Sequence, residues 1–283
     1  MNKVREMSLG DILFAVFQYV MLIGASIIAL VPVVVCVLTA FKTEEEYQAT
    51  TPLTLPNSFA YVENFVQAFT RAKMLRGFAN TCLVLIVVLV LSVLFSSMLA
   101  YILNRFTFPG RGAINSLFTF ASLIPGIATQ VTVYQIMFSL GLINHLYGYI
   151  IVLCGTDIIS IYIFLQFFEN LPKSLDESAI LDGSSYFGVF FRILFPLLKP
   201  AIVTSCVLKG VSVYNEYYMS NLYLQIPELR TISTSLYTFT GPYGSQYNYI
   251  CAGVLITIIP ILALFLICQK QIYGGMAAGA VKG

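Results

Sequence analysis

The sequence predicts an all-α membrane protein of about six transmembrane helices, on three observations. Of its 283 residues 58% are hydrophobic and 10% charged, with a mean hydropathy of +0.85. Soluble domains carry about 25% charged residues, so this composition excludes a water-soluble core. The charges cluster between long apolar runs, as a polytopic protein requires. Those runs approach the ~20 residues a helix needs to cross a bilayer, and none shows the ~10-residue alternation of barrel strands.

Spans are expected at about 12–41, 79–103, 114–139, 148–168, 201–222 and 248–269. The first follows Lys3 and Arg5 and superficially resembles a signal peptide. Its apolar run extends from Ile12 to Phe41, past the ~15 residues of a secretory core, so it reads as a retained helix that tilts or bends at Pro32. The segment 42–78 carries Pro52, Pro56 and the acidic run Glu44, Glu45, Glu46, with a short helix expected within 59–78. In the second span Ser92, Ser96 and Ala100 recur every fourth residue, a small-residue face suited to close helix packing. Three regions result: 1–78, the first helix and an outer segment; 79–269, the transmembrane core with the loop 169–200; and 270–283, a tail.

Basic residues set orientation. With the N-terminus inside, inner segments hold Lys3, Arg5, Arg105, Arg111, Lys173, Arg192, Lys199, Lys270 and Lys282. Outer segments hold Lys42, Arg71, Lys73, Arg76 and Arg230. This bias predicts both termini inside. The net charge of +2 identifies no partner, and nothing points to nucleic acid. Cys36, Cys82, Cys154, Cys206, Cys251 and Cys268 form no C-x-x-C pair and His145 is the only histidine. Free thiols among packed helices, and no metal site, are expected.

Residues 171–200 read LPKSLDESAILDGSSYFGVFFRILFPLLKP. Ser174 and Glu177 have the spacing of a capping box. Gly183 supplies a left-handed or close-packing point where the chain turns, and Pro196 and Pro200 end a second, mostly apolar stretch. Spacing alone leaves two readings open: a rigid knob for a soluble partner, or an amphipathic loop lying on lipid.

Here a resemblance enters. Glu177, Ala179, Asp182, Gly183, Ile193, Pro196 and Pro200 reproduce most of the E-A-A-x-x-D-G-A…I-x-L-P…P signature of permeases from binding-protein-dependent ABC importers. The chain resembles their carbohydrate branch in Arg105-Phe106, Phe108 to Arg111, Asn215-Glu216 and the ending GGMAAGAVKG, which together cover about residues 75–283. Ser178 and Ser184 stand where the signature has alanine, Phe195 where it has leucine, and Tyr214 where the family has tryptophan. The resemblance implies the type I ABC importer permease bundle in a bacterial cytoplasmic membrane. It implies a coupling helix built on Glu177, Ser178, Ala179, Asp182 and Gly183 and docked on a nucleotide-binding subunit. It implies as partners a second, homologous permease, two ATPase subunits, an extracytoplasmic solute-binding protein and a carbohydrate substrate. Val281, Lys282 and Gly283 would then touch the ATPase subunits.

No G-x-x-x-x-G-K-[ST] loop occurs in the sequence. No cofactor is therefore expected on this chain; ATP and Mg²⁺ belong to the partner ATPases, and the chain is a transport subunit rather than an enzyme. Charged groups inside spans are functional suspects. Lys209 lies ~13 Å past Pro200 and Asp157 ~16 Å before Phe168 at ~1.5 Å per residue, so an ion pair near the midplane is open to them. It would either lock two helices or border the solute path. Ser205, Lys209, Ser212, Glu216 and Ser220 are expected on one face of the fifth span, with Tyr214 and Asn215 beside it and Gln130, Tyr134 and Gln135 on the third span extending the path. An ABC permease for a non-sugar solute is the alternative. A secondary transporter is the more distant rival; it would show repeat symmetry and paired broken helices, which the sequence does not predict.

Overall fold

The computed structural model describes residues 9–155, 157–242 and 244–280, with the side chains of residues 9, 11, 12, 268 and 270–280 outside that description. The chain divides into two compact units: Met1–Ala72 with Leu236–Ile258, and Lys73–Ser235 with Ile259–Gly283.

In the first unit, α1 (Leu9–Ala40) contains Pro32 and is apolar all round, the pattern of a helix whose solvent is lipid. α2 (Glu44–Ala49) is capped by Thr43, whose hydroxyl accepts from the Glu46 N–H at 3.2 Å. α3 (Glu63–Arg71) is the short helix expected within 59–78. Asn64, almost fully buried, donates to the carbonyls of Ala40 and Lys42 at 2.8 and 2.7 Å, satisfying the end of α1. The Lys42 ammonium is buried too and donates to the Thr50 hydroxyl and the Thr51 carbonyl. A two-stranded antiparallel hairpin, β1 (Thr240–Gly241) and β2 (Gly244–Ser245), follows in this unit.

The second unit is organised on α4 (Met74–Arg105), 32 residues long. Ser92, Ser96 and Ala100 form its buried small-residue face. Its most extensive packing is on α8 (Ile158–Glu169), the close approach that small residues permit. Between them run α5 (Arg111–Leu123), α6 (Gly126–Ser139) and α7 (Leu146–Leu153). Next come α9 (Ser174–Leu181) and α10 (Tyr186–Leu197), then α11 (Lys199–Asn215) and α12 (Tyr218–Tyr223). After α13 (Ile232–Ser235), α14 (Tyr247–Ala280) passes from the first unit into the second. Two clusters fill this unit's core. One gathers Tyr101, Phe164, Phe168, Phe190, Leu194 and Leu198; the other gathers Val84, Val88, Tyr149, Val213 and Tyr223.

Several expectations are corrected. α1, α4 and α14 are each long and apolar enough to cross a membrane, but the third and fourth spans are broken; the bend between α10 and α11 falls ahead of the fifth span, where Pro196 and Pro200 were expected to end the preceding stretch. α5 and α6 meet at 101°, α7 and α8 at 48°, and α10 and α11 at 75°. The first break follows from Ile124, which precedes Pro125 and is extended (φ −79°, ψ 119°), as a residue before proline is driven to be. The second span begins at Met74, five residues early. Val189–Leu194 is π-helical directly ahead of Pro196, whose missing N–H interrupts an α-helical ladder. α14 runs on as helix to Ala280, past the end of its apolar span at Ile267. Broken helices therefore exist, and their predicted absence no longer argues against a secondary transporter.

Candidate coupling element and polar path

α9 is two turns long. Lys173 precedes it without a side-chain cap and Ser174 is already helical, so the expected capping box does not form. At its other end the Gly183 N–H donates to the Ile180 carbonyl at 2.9 Å and the Ser184 N–H to the Ala179 carbonyl at 2.9 Å. These two bonds are the Schellman pattern, which needs a left-handed residue after the cap. Gly183 provides it with φ +86°, and no atom lies within 4 Å of where a β-carbon would stand. Its role is thus conformational and not one of close packing. Ser185 then caps α10, its hydroxyl accepting from the Gly188 N–H at 3.2 Å.

The turn presents Glu177, Ser178, Asp182 and Gly183 outward, together with Leu181 at 88% exposure. Ala179 instead faces the core. Beside the turn an open cleft of about 650 Å³ runs between Asp182, Ser184, Ser185 and Arg192. Beneath α9, the Arg105 Nε lies 2.9 Å from the Asp176 carboxylate with both side chains nearly buried. Burial pushes the Asp176 carboxyl above its ordinary value, against the opposing pull of Arg105. From the sequence Arg105 is an inner charge and part of the Arg105-Phe106 element, and no role is expected for Asp176. The signal available was an acid in the first turn of α9, where helix polarity favours it.

The polar residues of the spans fall into separate groups. Asp157 caps α8, one carboxylate oxygen facing the Ser160 N–H at 3.4 Å and the other accepting from the Ser160 hydroxyl at 2.8 Å. Lys209 approaches the same carboxylate at 3.7 Å. The Ser160 and Ser205 hydroxyls share a hydrogen bond. A cavity of about 220 Å³ is lined by Ser92, Ser96, Cys154 and Asp157 together with Phe95 and Phe118. Elsewhere, buried Gln130 accepts from the Tyr223 hydroxyl at 3.3 Å, and Tyr134 accepts from the Gln225 amide at 3.4 Å. Gln135 is exposed.

The single stripe expected through the fifth span is not continuous. α11 stops at Asn215, and Glu216 leaves the helix with ψ 100°. Its carboxylate accepts from the Met219 N–H at 2.9 Å, starting α12, and its carbonyl accepts from the Ser233 hydroxyl at 2.8 Å. Ser205 and Lys209 therefore share a helix that Ser220 does not. Asn215 is exposed and Tyr214 half-buried. Val281, Lys282 and Gly283 lie outside the described residues.

Three helices long and apolar enough to cross a membrane, or six with each bent pair counted as one span, define a multi-pass membrane protein. Residues 92–269 match the family described as binding-protein-dependent transport system inner membrane component, and the chain belongs to it. The arabinooligosaccharides transport system permease protein AraQ of Halalkalibacterium halodurans is 31% identical over 273 residues, covering 95% of this chain and 98% of its own. The probable ABC transporter permease protein YurM of Bacillus subtilis is 32% identical over 280 residues, covering 99% and 91%. The melibiose/raffinose/stachyose import permease protein MelC of the same species is 28% identical, covering 89% and 91%. A chain from the crystal structure of a bacterial ABC transporter involved in the import of alginate has the same fold, with a TM-score of 0.81 at 20% identity over 93% of this chain and 98% of that one.

Proposed function

We propose that this chain is a permease subunit of an ATP-driven importer of sugars or oligosaccharides in a bacterial cytoplasmic membrane, with both termini inside. It pairs with a second, homologous permease. Two ATPase subunits bind ATP and Mg²⁺, and an extracytoplasmic binding protein delivers the solute. The chain has no ATPase site of its own. Closure of the ATPases moves α9 and rocks the spans between inward-open and outward-open states. The observation that carries this reading is the surface of Glu177, Ser178, Leu181 and Asp182, held outward by the Gly183 turn. The saccharide cargoes named for AraQ and MelC support the substrate class.

The test is uptake by the complete complex in proteoliposomes, with arabino-oligosaccharides and raffinose as probes. ATP-dependent accumulation of a saccharide that requires the binding protein is expected. It should be lost in Glu177→Lys and Gly183→Pro while the membrane subunits still insert. Uptake driven by an ion gradient without ATP would overturn the assignment in favour of a secondary transporter. ATP-driven uptake of an amino acid alone would move the cargo outside the sugars.

A further inference from the structure

Arg105 ends α4 and Asp176 sits in the first turn of α9, 71 residues further along the chain, yet their side chains are only 6% and 11% exposed. The same guanidinium donates to the Phe168 carbonyl at 3.4 Å and the Leu171 carbonyl at 3.1 Å, and its carbon lies 5.8 Å from the centre of the Phe168 ring. One side chain thus gathers the end of α4, the end of α8 and the start of α9. Each charge also stands where helix polarity favours it: the cation over carbonyls at the C-terminal end of α8, the anion in the first turn of α9. A helix of two turns has little capacity to hold its own orientation. Apart from this pair, α9 buries Ala179 and turns Glu177, Ser178 and Leu181 outward. The Nε–Oδ2 contact is short but off the line of a good hydrogen bond, and both carboxylate oxygens lack another side-chain donor among the described residues. Arg105 is therefore the one side chain that meets the Asp176 carboxylate among the described residues, beside the backbone N–H of Asp176 itself. A buried pair of this kind adds little net stability, and its use lies in fixing one arrangement.

We propose that Arg105 and Asp176 are positioning residues that fasten the α9 element to α4 and α8, so that a push on α9 moves those helices as one body. This rests on the reading of α9 as the contact to the ATPase. The pair touches neither solute nor nucleotide; it transmits through Glu177 and its neighbours.

The decisive variant is Arg105→Met with Asp176→Leu, which removes the link and leaves no buried charge uncompensated. In the complete reconstituted complex the double variant should assemble and hydrolyse ATP, while solute moved per ATP falls about tenfold. Asp176→Asn alone should lower both assembly and transport, because it orphans the Arg105 charge. A double variant with the wild-type transport-to-hydrolysis ratio would show that the pair merely fills space, and would overturn the proposal. A second readout needs no ATPase. Spin labels on Ser178→Cys and Ile102→Cys, in the permease pair with its six native cysteines replaced, should give a narrow distance distribution whose width roughly doubles when the link is removed. An unchanged width would equally refute it. Glu177→Lys separates the two ideas. If it uncouples while the double variant does not, only the fastening is wrong; if neither uncouples, α9 is not the contact to the ATPase.

Discussion

The hydroxyls of Ser160 and Ser205 lie 2.6 Å apart and tie α8 to α11 at a point where both side chains are buried. Ser160 also donates to Asp157, so the bond between the serines closes a chain that reaches Lys209. Ser205→Ala leaves Ser160 with its acceptor and should lower stability by about 0.5–1.5 kcal/mol. Ser205→Leu forces bulk into the contact and should lower it by a further ~1–3 kcal/mol. Thermal unfolding in detergent checks the order; equal losses would show that the site has room to spare.

The ion pair of Asp157 and Lys209 has two readings that one double substitution separates. Asp157→Asn leaves Lys209 among apolar spans without its anion, a loss of about 3–5 kcal/mol for a broken buried pair. Adding Lys209→Met should restore most of that stability. If uptake returns with it, the pair locks α8 to α11; if stability returns and uptake does not, the charges serve the solute path. Both quantities come from the same reconstituted sample.

At Gly183 a β-carbon meets no neighbour, so only backbone strain opposes alanine. Gly183→Ala should lower local stability by about 1–2 kcal/mol, the left-handed penalty for a residue with a side chain, and Gly183→Asn by less. Hydrogen exchange of the Ser184 amide, which donates to Ala179, reports it. Full protection in the alanine variant would contradict the assigned conformation.

Gly148 presents the opposite case. An added β-carbon there would collide with the Leu142 carbonyl, so Gly148→Ala should displace the turn ahead of α7 and cost about 1–3 kcal/mol. Loss of thermal stability without loss of membrane insertion is expected.

Glu228 gives a pH dependence. The hydrogen bond from Lys73, 2.9 Å away, holds its carboxyl below the ordinary value. A depressed acid adds stability that is present above the unfolded value and disappears as pH falls through the folded one. Wild type should therefore exceed Glu228→Gln slightly at neutral pH and low salt, and the two should converge in acid or at high salt. A difference that persisted under both conditions would belong to packing rather than charge.

Much of this was readable from residue order. Hydropathy located every apolar segment, and the small-residue face of α4 and the left-handed Gly183 are where spacing put them. The breaks within the third and fourth spans were not found, although Ile124-Pro125 carried a signal, whereas the bend between α10 and α11 lies where Pro196 and Pro200 were expected to end a stretch. In a long apolar run, hydropathy stays high through a corner because both arms face the same solvent. The stripe on the fifth span failed for that reason: helical periodicity was extended past Asn215, where the Glu216 carboxylate starts a new helix. The meeting of Arg105 with Asp176 depends on how α4, α8 and α9 pack, which no local pattern encodes.

The length of α4 has a mechanical consequence. Its 32 residues make a rod of about 48 Å, against a hydrocarbon layer of about 30 Å. Roughly 18 Å of it overhangs the apolar layer. A pivot of about 5° at one end would carry the opposite end about 4 Å, further than a hydrogen bond can stretch. Small rotations at the Arg105 end are thereby enough to make or break contacts around Met74.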